Sequence, residues 1–288
     1  MVASPRIGFV GAGRVARALA QGFARHGEHV VAVASRSALS AERVAREVPG
    51  CAAMAAQDAV DACDVVFVTV PDGAIAGTAA GLRWSPGKAA VHTSGATEIT
   101  ALDGAARQGA AIGGLHPMQN FADPAVALAG LPGCAAAIEA EGELLATLDR
   151  LACSLGMKPI RLPPGARALY HCSGSFAAPF IGVLLHEAVK LWARFGVSAD
   201  EALPLLVALA RGTLDSVAKD GTVQSFAGPI SRGDTGTIAR HLAALAKLPP
   251  ETLALYRALA ARAIPIAEAK GSLSAEAAAT LHALIGDG

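Results

Sequence analysis

Nine residues near the start of the chain, Gly8-Phe9-Val10-Gly11-Ala12-Gly13-Arg14-Val15-Ala16, have the spacing of a phosphate-binding turn. The string G-x-G-x-x-A is common by itself; it becomes informative when it follows a strand and opens a helix. Both conditions are met here. Arg6–Val10 reads as a strand, and Arg14–Arg25 reads as a helix with Val15, Leu19 and Phe23 on one face. Gly11 would allow the tight turn, Gly13 would let the backbone approach a pyrophosphate, and Ala16 would let the helix pack close to the strand. Ala12, Arg14 and Val15 complete the turn, whose free N–H groups favour an anion.

The residues after the second strand choose the nucleotide. Where a 2′-hydroxyl is bound, an Asp or Glu is usual about 20 residues after the glycines. This chain has Ser35-Arg36-Ser37 instead, with no carboxylate before Glu42. A guanidinium can pair with a 2′-phosphate and stack on adenine, and serines can donate to it. The expected cofactor is therefore NADP, although Arg36 could also be an ordinary solvated arginine.

In open parallel sheets ligands sit at the carboxyl ends of the strands. Three such ends carry polar residues: Thr69-Val70-Pro71-Asp72, His92-Thr93-Ser94-Gly95 and His116-Pro117-Met118-Gln119-Asn120. Val70, Pro71, Asp72 and Ser94 are counted with the nucleotide-binding residues, Pro71 and Ser94 on the nicotinamide-ribose side. His116 is the candidate for proton transfer, because hydride transfer to a carbonyl or imine leaves a heteroatom that needs a proton. Ser94 could hold the same oxygen. The alternatives are a turn histidine before proline for His116 and a loop hydroxyl capping the backbone for Ser94. His92 is expected to pack inside its strand. Further along, His171 and Arg232 are candidate substrate contacts, Arg232 as a fork for a carboxylate. Asp234 reads as an N-cap, with His241 on the next helix face, and Lys190 as a solvated or snorkelling side chain.

These residues need a scaffold. Val30–Ala34, Val65–Val70, Ala89–His92, Ala110–Gly113, Ala135–Ile138 and Lys158–Arg161 follow as strand candidates, the early ones continuously apolar, as in strands covered on both faces. Alternation with helices predicts a doubly wound, mostly parallel α/β sheet over residues 1–163. After Pro163-Pro164-Gly165 the strand signals stop. Ala168–Phe195, Asp200–Lys219, Thr235–Lys247, Pro250–Lys270 and Ala275–Ile285 predict an all-helical domain over 164–288, with caps at Ser198 or Asp200, Asp234 and Ser274.

Composition narrows the function. Of 288 residues, 53% are hydrophobic and 17% charged, enough apolar residues for a large core. Lys plus Arg and Asp plus Glu are both 24, and neither half has a basic excess, so nucleic-acid binding is not expected. Apolar stretches read as broken before the ~20 residues a membrane span needs, and Met1–Arg6 has no leader pattern. Cys51, Cys63, Cys134, Cys153 and Cys172 match no zinc or redox spacing, and the eight histidines are scattered, so no metal is expected and a reducing cytoplasm is the simplest location.

The motifs GFVGAGRVARAL, TVPD, HTSG, GGLHPMQNF, the helix beginning at Tyr170-His171 and GPISRGDTGTIARHL together resemble a bacterial family of Rossmann-like NADP oxidoreductases with a C-terminal helical domain of unknown function. Its first domain is similar to those of pyrroline-5-carboxylate reductase and the deazaflavin-dependent NADP reductases. The resemblance implies a Rossmann domain, NADP and a homodimer formed through the helical domain. Prephenate dehydrogenases have a similar G-x-H-P segment whose histidine contacts the substrate hydroxyl, and the matching residue here is His116. Their serine after the preceding strand is similar to Ser94. One departure is Pro179, near where the family's long helix tends to carry an asparagine; proline removes a donor and would kink the helix. The resulting expectation is NADP(H)-dependent hydride transfer to or from a small oxo, hydroxy or imino acid. The alternative is a nucleotide-binding sensor or scaffold without turnover.

Overall fold

The computed structural model describes Ser4 to Gly286. Met1–Ala3, on which part of the reading about a leader rests, and the last two residues lie outside the described residues. The first unit carries one eight-stranded sheet: β1 Arg6–Val10, β2 His29–Ala34, β3 Ala52–Ala53, β4 Val65–Val68, β5 Ala89–His92, β6 Ala111–Pro117, β7 Ala135–Glu139 and β8 Lys158–Arg161. Their order is β3-β2-β1-β4-β5-β6-β7-β8. Every pairing is parallel except β6 with β7, where His116 faces Ala137 and Pro117 faces Ala136. The connection from β6 to β7 holds only a short helix, Pro124–Ala129. It stays at one end of the sheet, where the Met118 N–H bonds the Ala135 carbonyl at 2.7 Å. A parallel return would have needed a full crossover.

The continuously apolar strands serve two cores. Ile7, Phe9, Phe67 and Val91 face one layer, with Leu19 and Phe23 from the helix Arg14–Arg25. Val10, Val66, Val68 and Ala90 face the other, with Trp84 and Leu102. The alternation within each strand explains why their inner positions are almost all apolar. Phe9 and Phe67 stack at 5.3 Å between ring centroids. Burying a side chain of that size contributes roughly 1.5–3 kcal/mol.

The chain divides into two compact units at Pro179/Phe180. The boundary expected at Pro163 lies inside the first unit, because the helix Arg167–Ala177 is tied to the sheet by Arg167, whose side chain is fully buried beside Glu139. The single long helix expected over 168–195 is two helices, Arg167–Ala177 and Pro179–Ala193, broken at Ala178 (φ −133°, ψ −81°), the residue before Pro179. Taken together, Arg167–Ala193 is long and apolar enough to cross a membrane, contrary to the expectation that no stretch would be. The break leaves pieces of 11 and 15 residues, each short of the ~20 a span needs.

The second unit is helical. Ala199–Gln224, Thr235–Leu245, Pro250–Lys270 and Ala275–Ile285 follow Pro179–Ala193. Ser198 and Glu201 form a reciprocal capping box, and Asp234 and Ser274 cap their helices as the sequence predicts. Ile230, Ile238, Ile264, Leu281 and Ile285 form its core. Leu205 and Leu209, by contrast, are exposed.

Candidate active site

The turn between β1 and the helix Arg14–Arg25 is built almost wholly from backbone. Gly11 has φ +114°, and a Cβ there would lie 2.5 Å from the Thr69 carbonyl oxygen, so only glycine fits. The Gly11 N–H donates to Ala34 O at 2.8 Å, and the Thr69 hydroxyl donates to Gly11 O at 2.8 Å. The turn is thus stitched to the ends of β2 and β4. Gly13 is the N-cap, with no side-chain cap bond and no acidic residue in the first turn. Nothing lies within 4 Å of where its Cβ would be. The orphan N–H groups at this helix start are left for an outside acceptor. A cavity of about 430 Å³ lies against Gly11, Ala12 and Gly13, and Ser35, Arg36, Ser40, Val70 and Pro71 also line it. Among the described residues Arg36 is in no ion pair, and it is exposed. An uncapped helix start, a glycine face open to the cavity and an uncompensated guanidinium fit a phosphorylated dinucleotide.

Several residues expected here also have partners within the protein. Ser37 caps the next helix, accepting from Ser40 N–H at 3.3 Å, and Ser35 accepts from Ser37 N–H at 3.3 Å. Arg14 donates to the Ala122 carbonyl at 3.3 Å, away from the turn. Ala12 and Val15 pack against the core. Ser40 was missed, because its place on the cavity depends on the helix direction set by the Ser37 cap.

A second group gathers around His116 on β6. The Tyr170 hydroxyl lies 3.1 Å from His116 Nδ1, with the rings edge-to-face at 5.6 Å. His171 also meets the His116 ring edge-on, at 5.7 Å. Gly95 lies against both imidazoles: a Cβ there would collide with the His171 ring and lie 2.9 Å from His116 Nε2. Burial, with smaller contributions from His171 and Arg167, pushes the His116 imidazole down to about 4, so the ring is neutral at neutral pH. Burial pushes the Tyr170 phenol up to about 12.

Arg167 and Glu139 hold this group in place, and neither was foreseen as a site residue. The Arg167 guanidinium donates to Glu139 at 2.7 Å and to the Ser94 carbonyl at 3.0 Å. It lies over Gly114, where any Cβ would collide with it. The Gly113-Gly114 doublet was the available signal: a bare backbone in a strand marks a close approach.

Ser94 fills the loop-capping role weighed as its alternative. Its hydroxyl lies 2.8 Å from Asp72 Oδ2 as donor and accepts from the N–H groups of Ala96 and Thr97. Engaged on both sides, it is not free to hold a substrate oxygen. It joins the Asp72 loop to the loop bearing Gly95. His92 is fully buried; its Nδ1 accepts from Ser94 N–H at 3.2 Å, and burial pushes it down to about 3.

In the second unit, Arg232 is exposed in the turn before Asp234, and Asp234 accepts from Thr237 N–H at 2.9 Å. His241 meets the Tyr256 hydroxyl at 3.0 Å, and Lys190 pairs with Glu187 at 2.9 Å. Among the described residues no three His, Cys, Asp or Glu side chains gather as a metal site.

Residues 6–94 match the family model described as NADP oxidoreductase, coenzyme F420-dependent, and residues 134–263 match a domain of unknown function, DUF2520. Residues 6–94 thus carry a domain of the NADP-oxidoreductase type. Among solved structures it is similar to the Bacteroides fragilis protein BF3122, provisionally named an NADP oxidoreductase. That match has 25% identity and a TM-score of 0.71, covering 92% of this chain and 98% of that one. It is also similar in fold to a reductive aminase from Aspergillus terreus in complex with NADPH and ethyl-5-oxohexanoate (20% identity, TM-score 0.62, 98% and 93% covered). A third is 1-pyrroline-5-carboxylate reductase from Streptococcus pyogenes (17% identity, TM-score 0.65, 94% and 99% covered). No protein of curated function matches the sequence. The oxidoreductase model ends at Ser94, so Gly95, His116 and Tyr170 all lie beyond it.

Proposed function

We propose that the chain binds NADP(H) at the Gly11–Gly13 turn and transfers hydride to or from a small oxo, hydroxy or imino acid, with His116 handling the proton. The observation that carries this reading is the uncapped helix start at Gly13 with the unpaired Arg36 beside the same cavity. Gly11, Ala12, Gly13 and the first-turn N–H groups would hold the pyrophosphate. Arg36, with Ser35 and Ser40, would hold the 2′-phosphate. Val70, Pro71 and Asp72 would line the nicotinamide-ribose side. The bound nucleotide supplies or accepts the hydride.

His116 is neutral at physiological pH, so it acts through a ring N–H or a ring lone pair and not as a cation. Ser94 acts indirectly in this reading, fixing the loop that carries Gly95 against His116. His171, whose ring touches that of His116, is a proposed substrate contact. Arg232 is proposed to pair with a substrate carboxylate. The exposed Leu205 and Leu209 support a homodimer formed through the helical domain, and the five free cysteines suit a reducing cytoplasm.

The test is thermal unfolding with NADPH, NADH or no nucleotide. A ligand that binds only the folded chain stabilises it by about 2.7 kcal/mol at a hundred times its Kd. A larger shift with NADPH than with NADH is expected; no shift with either would refute the reading. A nucleotide sensor without turnover is the second reading, favoured by the engaged Ser94 hydroxyl. It predicts the NADPH shift but no NADPH consumption with any oxo or imino acid.

A further inference from the structure

We propose that Tyr170 fixes the tautomer of His116, donating its hydroxyl proton to Nδ1 and so keeping the ring proton on Nε2, beside Gly95, as the donor presented to a substrate oxygen or imine nitrogen. The proposal rests on the reading of His116 as the proton-handling group.

The two ring nitrogens have unlike surroundings. Nδ1 meets the Tyr170 hydroxyl at 3.1 Å. Nε2 has no partner among the described residues, and it is not sealed off as His92 Nε2 is. A neutral imidazole carries one N–H, and the bond made by one nitrogen decides which form the other takes.

Tyr170 is equipped to be the donor. Burial keeps its phenol protonated, so it has a proton to give. If Nδ1 carried the proton, the phenol oxygen would have to accept it. The phenol proton would then be left with the His116 carbonyl at 3.4 Å, a poorer acceptor geometry than Nδ1. The helix Arg167–Ala177 is anchored one turn earlier by Arg167, so the phenol is held by a fixed backbone. Gly95 completes the arrangement, because a side chain there would occupy the space beside Nε2. Tyr170 touches no reacting atom in this scheme. It is a positioning residue, and its effect runs through the position of one proton.

The test is nitrogen-15 NMR of histidine-labelled protein without nucleotide at pH 7, with the His116 signals assigned by their loss in His116→Asn. The expected pattern is a protonated Nε2 and an unprotonated, hydrogen-bonded Nδ1. Tyr170→Phe, which keeps the ring contact and removes the hydroxyl, should convert it to a tautomer mixture. It should also lower turnover roughly tenfold at unchanged NADPH affinity. A wild-type ring protonated on Nδ1 would overturn the proposal, and this needs no variant to fold. An unchanged His116 pattern in Tyr170→Phe would overturn it too. Absence of an NADPH thermal shift would count against the nucleotide reading alone, since the ring signals are read without nucleotide.

Discussion

The glycine turn and the His116 group are both needed for the proposed chemistry, yet they are made of different material. The turn is mostly backbone: two glycines, an uncapped helix start and a carbonyl from the end of β2, held also by the Thr69 hydroxyl after β4. The His116 group is side chains: a buried ion pair, a phenol and two imidazoles drawn from segments far apart in sequence. A site made of backbone fails when atoms are added to it. A site made of side chains fails when atoms are removed and a buried partner is left alone. The contrast predicts opposite responses to substitution in two parts of one sheet.

The largest effect should come from Arg167→Met. Removing one partner of a buried pair leaves the Glu139 carboxylate uncompensated, which costs about 3–5 kcal/mol. Urea unfolding should show this as a lower midpoint, and Arg167→Met with Glu139→Leu should recover part of it. A single variant as stable as wild type would mean the pair does not hold the helix Arg167–Ala177. On the backbone side, Gly11→Val adds atoms where Thr69 O already stands at 2.5 Å, at a positive φ. It should abolish the NADPH thermal shift, and a retained shift would place the nucleotide elsewhere.

His116→Asn separates the two regions most cleanly. Turnover should fall by about 10²-fold or more with NADPH affinity unchanged; unchanged turnover would remove His116 from the mechanism. Arg36→Asp should do the converse, weakening NADPH relative to NADH and leaving the His116 ring signals as they are.

Acid should also tell the regions apart. His116 and His92 are held at about 4 and about 3, below their ordinary 6.5. The unfolded chain therefore takes up these protons first as pH falls. Their contribution is fully present above pH ~6.5 and is lost on the way down to the folded values, at up to about 1.4 kcal/mol per pH unit for each group. Urea midpoints measured across that range should fall with pH, and more shallowly in His116→Asn. The smallest effect should be Ser37→Ala, about 1 kcal/mol from a lost helix cap, read by thermal unfolding.

The same contrast explains what could be read from sequence. The turn was legible because its partners are local in pattern: a strand, two glycines and a helix within Arg6–Arg25. The N-caps at Ser198, Asp234 and Ser274 were legible for the same reason. Glu139 and Arg167 stand 28 residues apart, and His116 and Tyr170 stand 54 apart. No periodicity connects such pairs. The direction of β7 was equally hidden, because a short apolar run looks the same whichever way it pairs. Pro179 announced a kink, but that the sheet unit would extend to it depended on where Arg167 found its carboxylate.

The bond between Arg167 and Glu139 also imposes an order in time. A chain grows from its N-terminus at roughly 5–20 residues per second. The glycine turn has every partner it uses once Thr69 has emerged. The His116 ring cannot be clamped until Tyr170 has followed, about 5–20 s later at that pace. A ribosome stalled between those points would display a nucleotide turn with all its partners, and a histidine still without its phenol.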